Sequence, residues 1–135
     1  MHNGKFFTLT TATETGDQLL LTRIGANDPK FNLRRDPAII LRRPHASDTI
    51  FASVIEPHGS YNPVSESARN SNSNIAMLTI LKDDDEYTAV SIETISGKTR
   101  VFIVSNNNVD SKTSHNVEIG GKGYRWSGPF HYSSM

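Results

Sequence analysis

Four side chains able to move protons or accept hydrogen bonds fall close together in residues 53–66 (SVIEPHGSYNPVSE): Glu56, His58, Tyr61 and Glu66. Residues two apart on a strand face the same way, so the Glu56 carboxylate and the His58 imidazole can pair as acid and base. Pro57 between them removes a ladder donor and holds Glu56 extended. The same two residues at a strand end equally suit another task, satisfying the amides of the following loop. Tyr61, just beyond His58, suits proton abstraction next to a uronic acid carboxylate. That chemistry also needs the carboxylate neutralised by cations or amides. The alternative for Tyr61 is a ring packed over the sheet edge.

Cations stand upstream, where Arg34-Arg35 and Arg42-Arg43, with His45 nearby, flank Asp36-Pro37. Arginine forks match carboxylates bidentately, which makes an anionic polysaccharide a reasonable guest. Neighbours on a strand point to opposite faces, so each pair offers one arginine to a given site. Tyr124 and Trp126 share a strand face and are either a stacking platform for sugar rings or part of the core. Asp83-Asp84-Asp85-Glu86 lacks the alternating ligands and glycine of a calcium loop and reads as a solvated turn. The histidines at 45, 58, 115 and 131 have no metal-site spacing. Gly120-Gly121-Lys122-Gly123 has neither the spacing nor the following helix of a phosphate loop.

The elements that position these groups read as strands almost throughout. Phe7, Leu9 and Thr11 alternate with Phe6, Thr8 and Thr10, and Gly16-Asp17 turns the chain into 18–24. Further strands are expected from Ile39 and Leu41, then over 49–56, 74–81, 87–94, 100–105, 115–119 and 124–132. The run 74–81 (NIAMLTIL) is apolar on both faces and predicts a central strand. About nine short strands at roughly ten-residue spacing, with little or no helix, predict an all-β antiparallel β-sandwich or jelly roll. Two longer loops remain, 25–37 and 57–73, and loops held by a rigid sheet often carry function.

The 135 residues fit one domain, 1–135, with enough surface to bury for a core without staples. Cysteine is absent, which excludes disulfides and thiolate metal sites. Fourteen basic residues balance fourteen acidic ones, without the basic surplus of a nucleic-acid binder. No apolar run approaches the roughly 20 residues that span a membrane, so membrane insertion is not expected.

Two strings are more specific than this pattern of strands. IGANDPKFNLRRDPAIILRR (residues 24–43) and FASVIEPHGSYNPVSE (residues 51–66) resemble the C-terminal part of bacterial alginate lyases of polysaccharide lyase family seventeen, in the heparinase II/III-like group. The resemblance runs from about Phe6 to Tyr132. It implies an excised C-terminal module of an exported enzyme, periplasmic or at the cell surface. Such an enzyme pairs an α/α-toroid with a large β-sheet region and cleaves alginate by β-elimination.

The same resemblance places the acid/base residues and any divalent metal such as zinc upstream. The chain itself is then left without catalytic residues or cofactor, and inactive alone. Its implied partners are the upstream toroid and β-sheet domain, an anionic polysaccharide and, in a homodimer, a second subunit. By position in the motif, the loop 57–73 reaches sugar, with Glu66 accepting from sugar hydroxyls and His58 and Tyr61 shaping the loop or touching substrate. Arg35 and Arg42 complete the expected substrate contacts. The rival expectation is a stand-alone carbohydrate-binding module for anionic polysaccharide.

Overall fold

In the computed structural model, which describes residues 4–25 and 35–135 and side chains outside 24–36, the chain is all-β and antiparallel. Twelve strands follow one another: β1 (Phe6–Thr11), β2 (Gln18–Gly25), β3 (Arg35–Arg42), β4 (Ser53–His58), β5 (Ser60–Asn62), β6 (Ser67–Arg69), β7 (Ile75–Asp83), β8 (Tyr87–Thr94), β9 (Thr99–Ser105), β10 (Ser114–Ile119), β11 (Lys122–Ser127) and β12 (Phe130–Ser134). They form a four-stranded sheet in the order β12-β9-β8-β7 and four two-stranded ribbons, β1-β4, β2-β3, β5-β6 and β10-β11. Among the described residues no helix is long and apolar enough to cross a membrane.

The expected nine strands become twelve for two local reasons. The loop 57–73 contains its own hairpin, β5-β6, and Gly128-Pro129 splits the run 124–132 into β11 and β12. Gly128 has φ +93°, a conformation that L side chains rarely adopt, and Pro129 supplies no ladder donor. The expected central strand is also corrected: β7 is an edge of the four-stranded sheet, and β8 and β9 are its interior. Register shifts within β7, between Ile75 and Met77 and between Ile80 and Lys82, interrupt its ladder as protected edges often do.

The described residues fall into two compact units. One runs through Ala12 and resumes from Ile50 to Met135; the other is Thr13–Thr49. In the first, Ala89, Val101 and Ile103 on one face of the sheet meet Ile119 and Tyr124 of the β10-β11 ribbon. That ribbon alternates, so His115, Val117 and Ile119 turn inward while Asn116 and Glu118 face solvent. Its two-residue turn, Gly120-Gly121, has φ +60° and +77°, the paired positive angles that a tight hairpin needs. Two packed β layers around this core fit the predicted sandwich.

Of the two readings of Tyr124 and Trp126, the structure bears out the core. Tyr124 is only 8% exposed and belongs to the core. Trp126 stacks on buried His115 with ring centroids 4.6 Å apart and donates through Nε1 to the Gly128 carbonyl at 3.0 Å. Burying these rings contributes more to the sandwich than a shallow sugar platform does, because the β10-β11 ribbon has few other large apolar side chains to offer the sheet.

In the second unit, the β2-β3 ribbon is apolar on both faces. Register places Leu19, Leu21, Ile39 and Leu41 on one side and Leu20 and Ile40 on the other. Leu21 is 78% exposed, and Leu19, Leu20, Ile39 and Ile40 are exposed with it. A half-buried ribbon normally alternates apolar with polar, whereas this one shows apolar side chains on both faces.

Candidate functional site

The structure anchors the loop 57–73 as a hairpin. His58 ends β4, and its Nδ1 lies 3.0 Å from the Asn70 carbonyl while its Nε2 lies 2.8 Å from Thr8 Oγ1. A carbonyl only accepts, so Nδ1 carries the hydrogen and donates, leaving Nε2 to accept from the Thr8 hydroxyl. The imidazole also stacks on Phe6. Both ring nitrogens are thus committed to holding β1 and the base of the hairpin.

Glu56 takes a parallel role rather than pairing with His58. Its carboxylate accepts from Ser73 Oγ at 2.5 Å and from the Asn74 amide at 3.0 Å. The Ser73 bond first, then the backbone amides, hold its pKa below the usual glutamate value. Of the two readings of this pair, the geometry favours the one in which it satisfies loop groups.

Between these anchors stands the hairpin β5-β6. Its base is held by the Tyr61 amide donating to the Gly4 carbonyl at 2.7 Å. Its turn is held by Asn62 Oδ1, which accepts from the amides of Val64 and Ser65 at 2.9 and 3.3 Å. Asparagine side chains mimic a backbone turn in this way. Gly59, at φ +58°, passes so close to the backbone of Arg69 and Asn70 that a Cβ there would overlap their carbonyls. Glu66 and Asn70 both adopt φ +49°, uncommon for residues with side chains and frequent where a backbone is held for function. Val64, at the turn, is 93% exposed.

Register sorts the hairpin's side chains. Ser60 lies opposite Arg69 and Asn62 opposite Ser67, so these four share one face, while Tyr61 and Ala68 belong to the other. Ser60, Asn62, Ser67 and Arg69, with Ser65 and Tyr61 bordering, line a cleft of about 310 Å³. The Ser65 and Ser67 hydroxyls are 2.7 Å apart and order one another. The cleft offers hydroxyls, a carboxamide and a guanidinium on a rigid ribbon, a set suited to the hydroxyl and carboxylate groups of an acidic sugar.

The predicted residues divide accordingly. Tyr61 borders the cleft, half-buried; Glu66 stands exposed in the hairpin turn beside it; His58 braces the hairpin from behind. Arg42 belongs to the other compact unit, exposed at the end of β3 and opposite Gln18. The side chain of Arg35, and Arg34 altogether, lie outside the described residues. Arg43, once a sugar-binding candidate, is a clamp instead: Nε and Nη2 grip Asp17 at 2.8 Å each, and Nη1 donates to Glu14 and Thr49. The Arg43 fork holds the Asp17 pKa down to about 2. Arg69 escaped sequence reasoning, because only the hairpin register brings it beside Ser60, Asn62 and Ser67. No group of three or more His, Cys, Asp or Glu residues able to hold a metal ion exists among the described residues.

No family model matches the chain. It is similar to an alginate lyase of Stenotrophomonas maltophilia (strain K279a), 35% identical over 126 residues, which are 93% of this chain and 17% of that protein. It is also similar to an exo-oligoalginate lyase of Saccharophagus degradans, 28% identical over 123 residues, 90% of this chain and 16% of that one. Nearly the whole chain therefore aligns, yet it spans only about one-sixth of the length of these curated relatives, both of them named as lyases of alginate or its oligomers.

Proposed function

We propose that this chain is the C-terminal, substrate-proximal module of an exported alginate lyase of polysaccharide lyase family seventeen, within the heparinase II/III-like group. The observation that carries the reading is the match over nine-tenths of the chain to about one-sixth of two alginate lyases. The parent cleaves a uronic-acid glycan by β-elimination: the proton next to the carboxylate leaves to a base, the ring double bond forms, and the glycosidic oxygen departs with a proton from an acid. Those acid and base groups belong to the preceding toroid and β-sheet region, with which this module packs. The family resemblance assigns a divalent metal such as zinc to that region too. The exposed apolar faces of the β2-β3 ribbon support such a partner.

The module's own part is to complete the β platform and to present the β5-β6 hairpin, with Glu66 and Tyr61, to anionic polysaccharide, at its own active site or at that of a second subunit. The cleft beside Tyr61 also favours a second reading, a module that binds anionic polysaccharide unaided. A chimera tests the first: the aligned 126 residues of the Stenotrophomonas maltophilia lyase are replaced by this chain. Formation of unsaturated ends on alginate is then followed by ultraviolet absorbance. The chimera is expected to turn over alginate, while the 135-residue chain alone and the lyase lacking the segment do not. Turnover by the chain alone would sink the reading.

A further inference from the structure

Arg69 is the one cation of a hairpin face otherwise made of serine and asparagine. We infer that Arg69 reads the carboxylate of a single uronate residue lying along the β5-β6 cleft, with Ser60, Asn62 and Ser67 bonding that residue's hydroxyls, so that this hairpin selects acidic over neutral sugar. The inference rests on the proposed sugar-proximal role of the hairpin and adds a specificity residue to it.

The geometry is favourable on three counts. The cross-strand pairs Ser60–Arg69 and Asn62–Ser67 are neighbours along the ribbon, about 7 Å apart, comparable to one sugar ring with its substituents. Arg69 is exposed, and among the described residues no carboxylate engages its guanidinium, whereas Arg43 is fully occupied by Asp17 and Glu14. The donors are also pre-ordered. The Asn62 carboxamide oxygen is tied to the turn, leaving its NH₂ available, and Ser67 is set by Ser65. A rigid face of donors loses less freedom on binding than a mobile loop does. A planar guanidinium matches a carboxylate bidentately and has no such match in a neutral sugar's hydroxymethyl group.

The test is an NMR titration of the 135-residue chain with an alginate trisaccharide and with the same trisaccharide after carboxyl reduction. Amide shifts at the hairpin are followed for the wild type, Arg69→Gln and Arg69→Lys. The wild type is expected to bind the acidic sugar about tenfold more tightly than the reduced one. Arg69→Gln removes that preference, and Arg69→Lys, a point charge without the fork, keeps part of it. Equal shifts with both sugars would overturn the role of Arg69 while leaving the hairpin as a sugar contact. A preference that survives in Arg69→Gln would overturn it too. A hairpin silent to both sugars up to millimolar concentration would overturn the inference together with the sugar-proximal reading beneath it.

Discussion

His58 Nδ1 donates to the carbonyl of Asn70 across 3.0 Å, joining the end of β4 to the residue that follows β6. That bond closes the base of the β5-β6 hairpin from outside its own ladder. In His58→Phe the ring can still stack on Phe6, but the bonds to Asn70 and Thr8 go. The expected cost is about 1–2 kcal/mol. Amide exchange at Ser60, Tyr61 and Ala68 should accelerate more than exchange in β8 and β9, and an evenly spread change would contradict the bracing role.

Gly59→Ala attacks the same base from the backbone. The added methyl meets the Asn70 and Arg69 carbonyls at a φ of +58° that alanine resists, so the hairpin must shift. Destabilisation of more than about 1 kcal/mol is expected in urea melts. Loss of the Tyr61-to-Gly4 bond should appear in amide shifts. Unchanged stability would mean that this crossing is looser than drawn.

The Arg43–Asp17 pair predicts an acid sensitivity with a definite direction. The fork lowers Asp17 from its ordinary value of 3.8 to about 2, so the pair's contribution is complete above the ordinary value. It is lost as pH falls from there through about 2. Asp17→Asn should flatten the pH dependence of unfolding in this window, relative to the wild type. Parallel curves for the two proteins would dismiss the clamp.

Core and ribbon should respond oppositely to substitution. Ile103, fully buried in β9, should cost about 2–5 kcal/mol on truncation to alanine. Leu21→Ser on the exposed ribbon should move the stability of the isolated chain by no more than about 0.5 kcal/mol. In the lyase chimera the same change should impair assembly or activity, because there the leucine is covered. A chimera indifferent to Leu21→Ser would argue that the ribbon meets no partner.

Much of this architecture is legible in the residues, and what is not has local causes. Alternation such as Phe6 to Thr11 and the apolar, β-branched runs of β8 and β9 announce strands, because side-chain direction repeats every two residues. β5 (Ser-Tyr-Asn) and β6 (Ser-Ala-Arg) carry no such signal: three residues are too few to show alternation, and they pair because Gly59 and Asn62 shape the chain around them. β7 looks central from its apolar run, but strand order depends on distant partners that periodicity does not encode. Tyr61 and Glu66 could be placed on one loop from spacing alone. Arg69 could not be joined to them until Ser60 was set opposite it.

The chain's single tryptophan, Trp126, lies face to face with an imidazole in the sandwich core, whereas the Arg43–Asp17 pair belongs to the other compact unit, which has no tryptophan. Intrinsic emission is therefore an optical reporter of one unit alone. Acid loosening of the β2-β3 ribbon should pass unnoticed in fluorescence while changing the far-ultraviolet circular dichroism, and melting of the sandwich should register in both. Two instruments reading the same sample would then resolve, without any label, whether the two units of this chain unfold together or in turn.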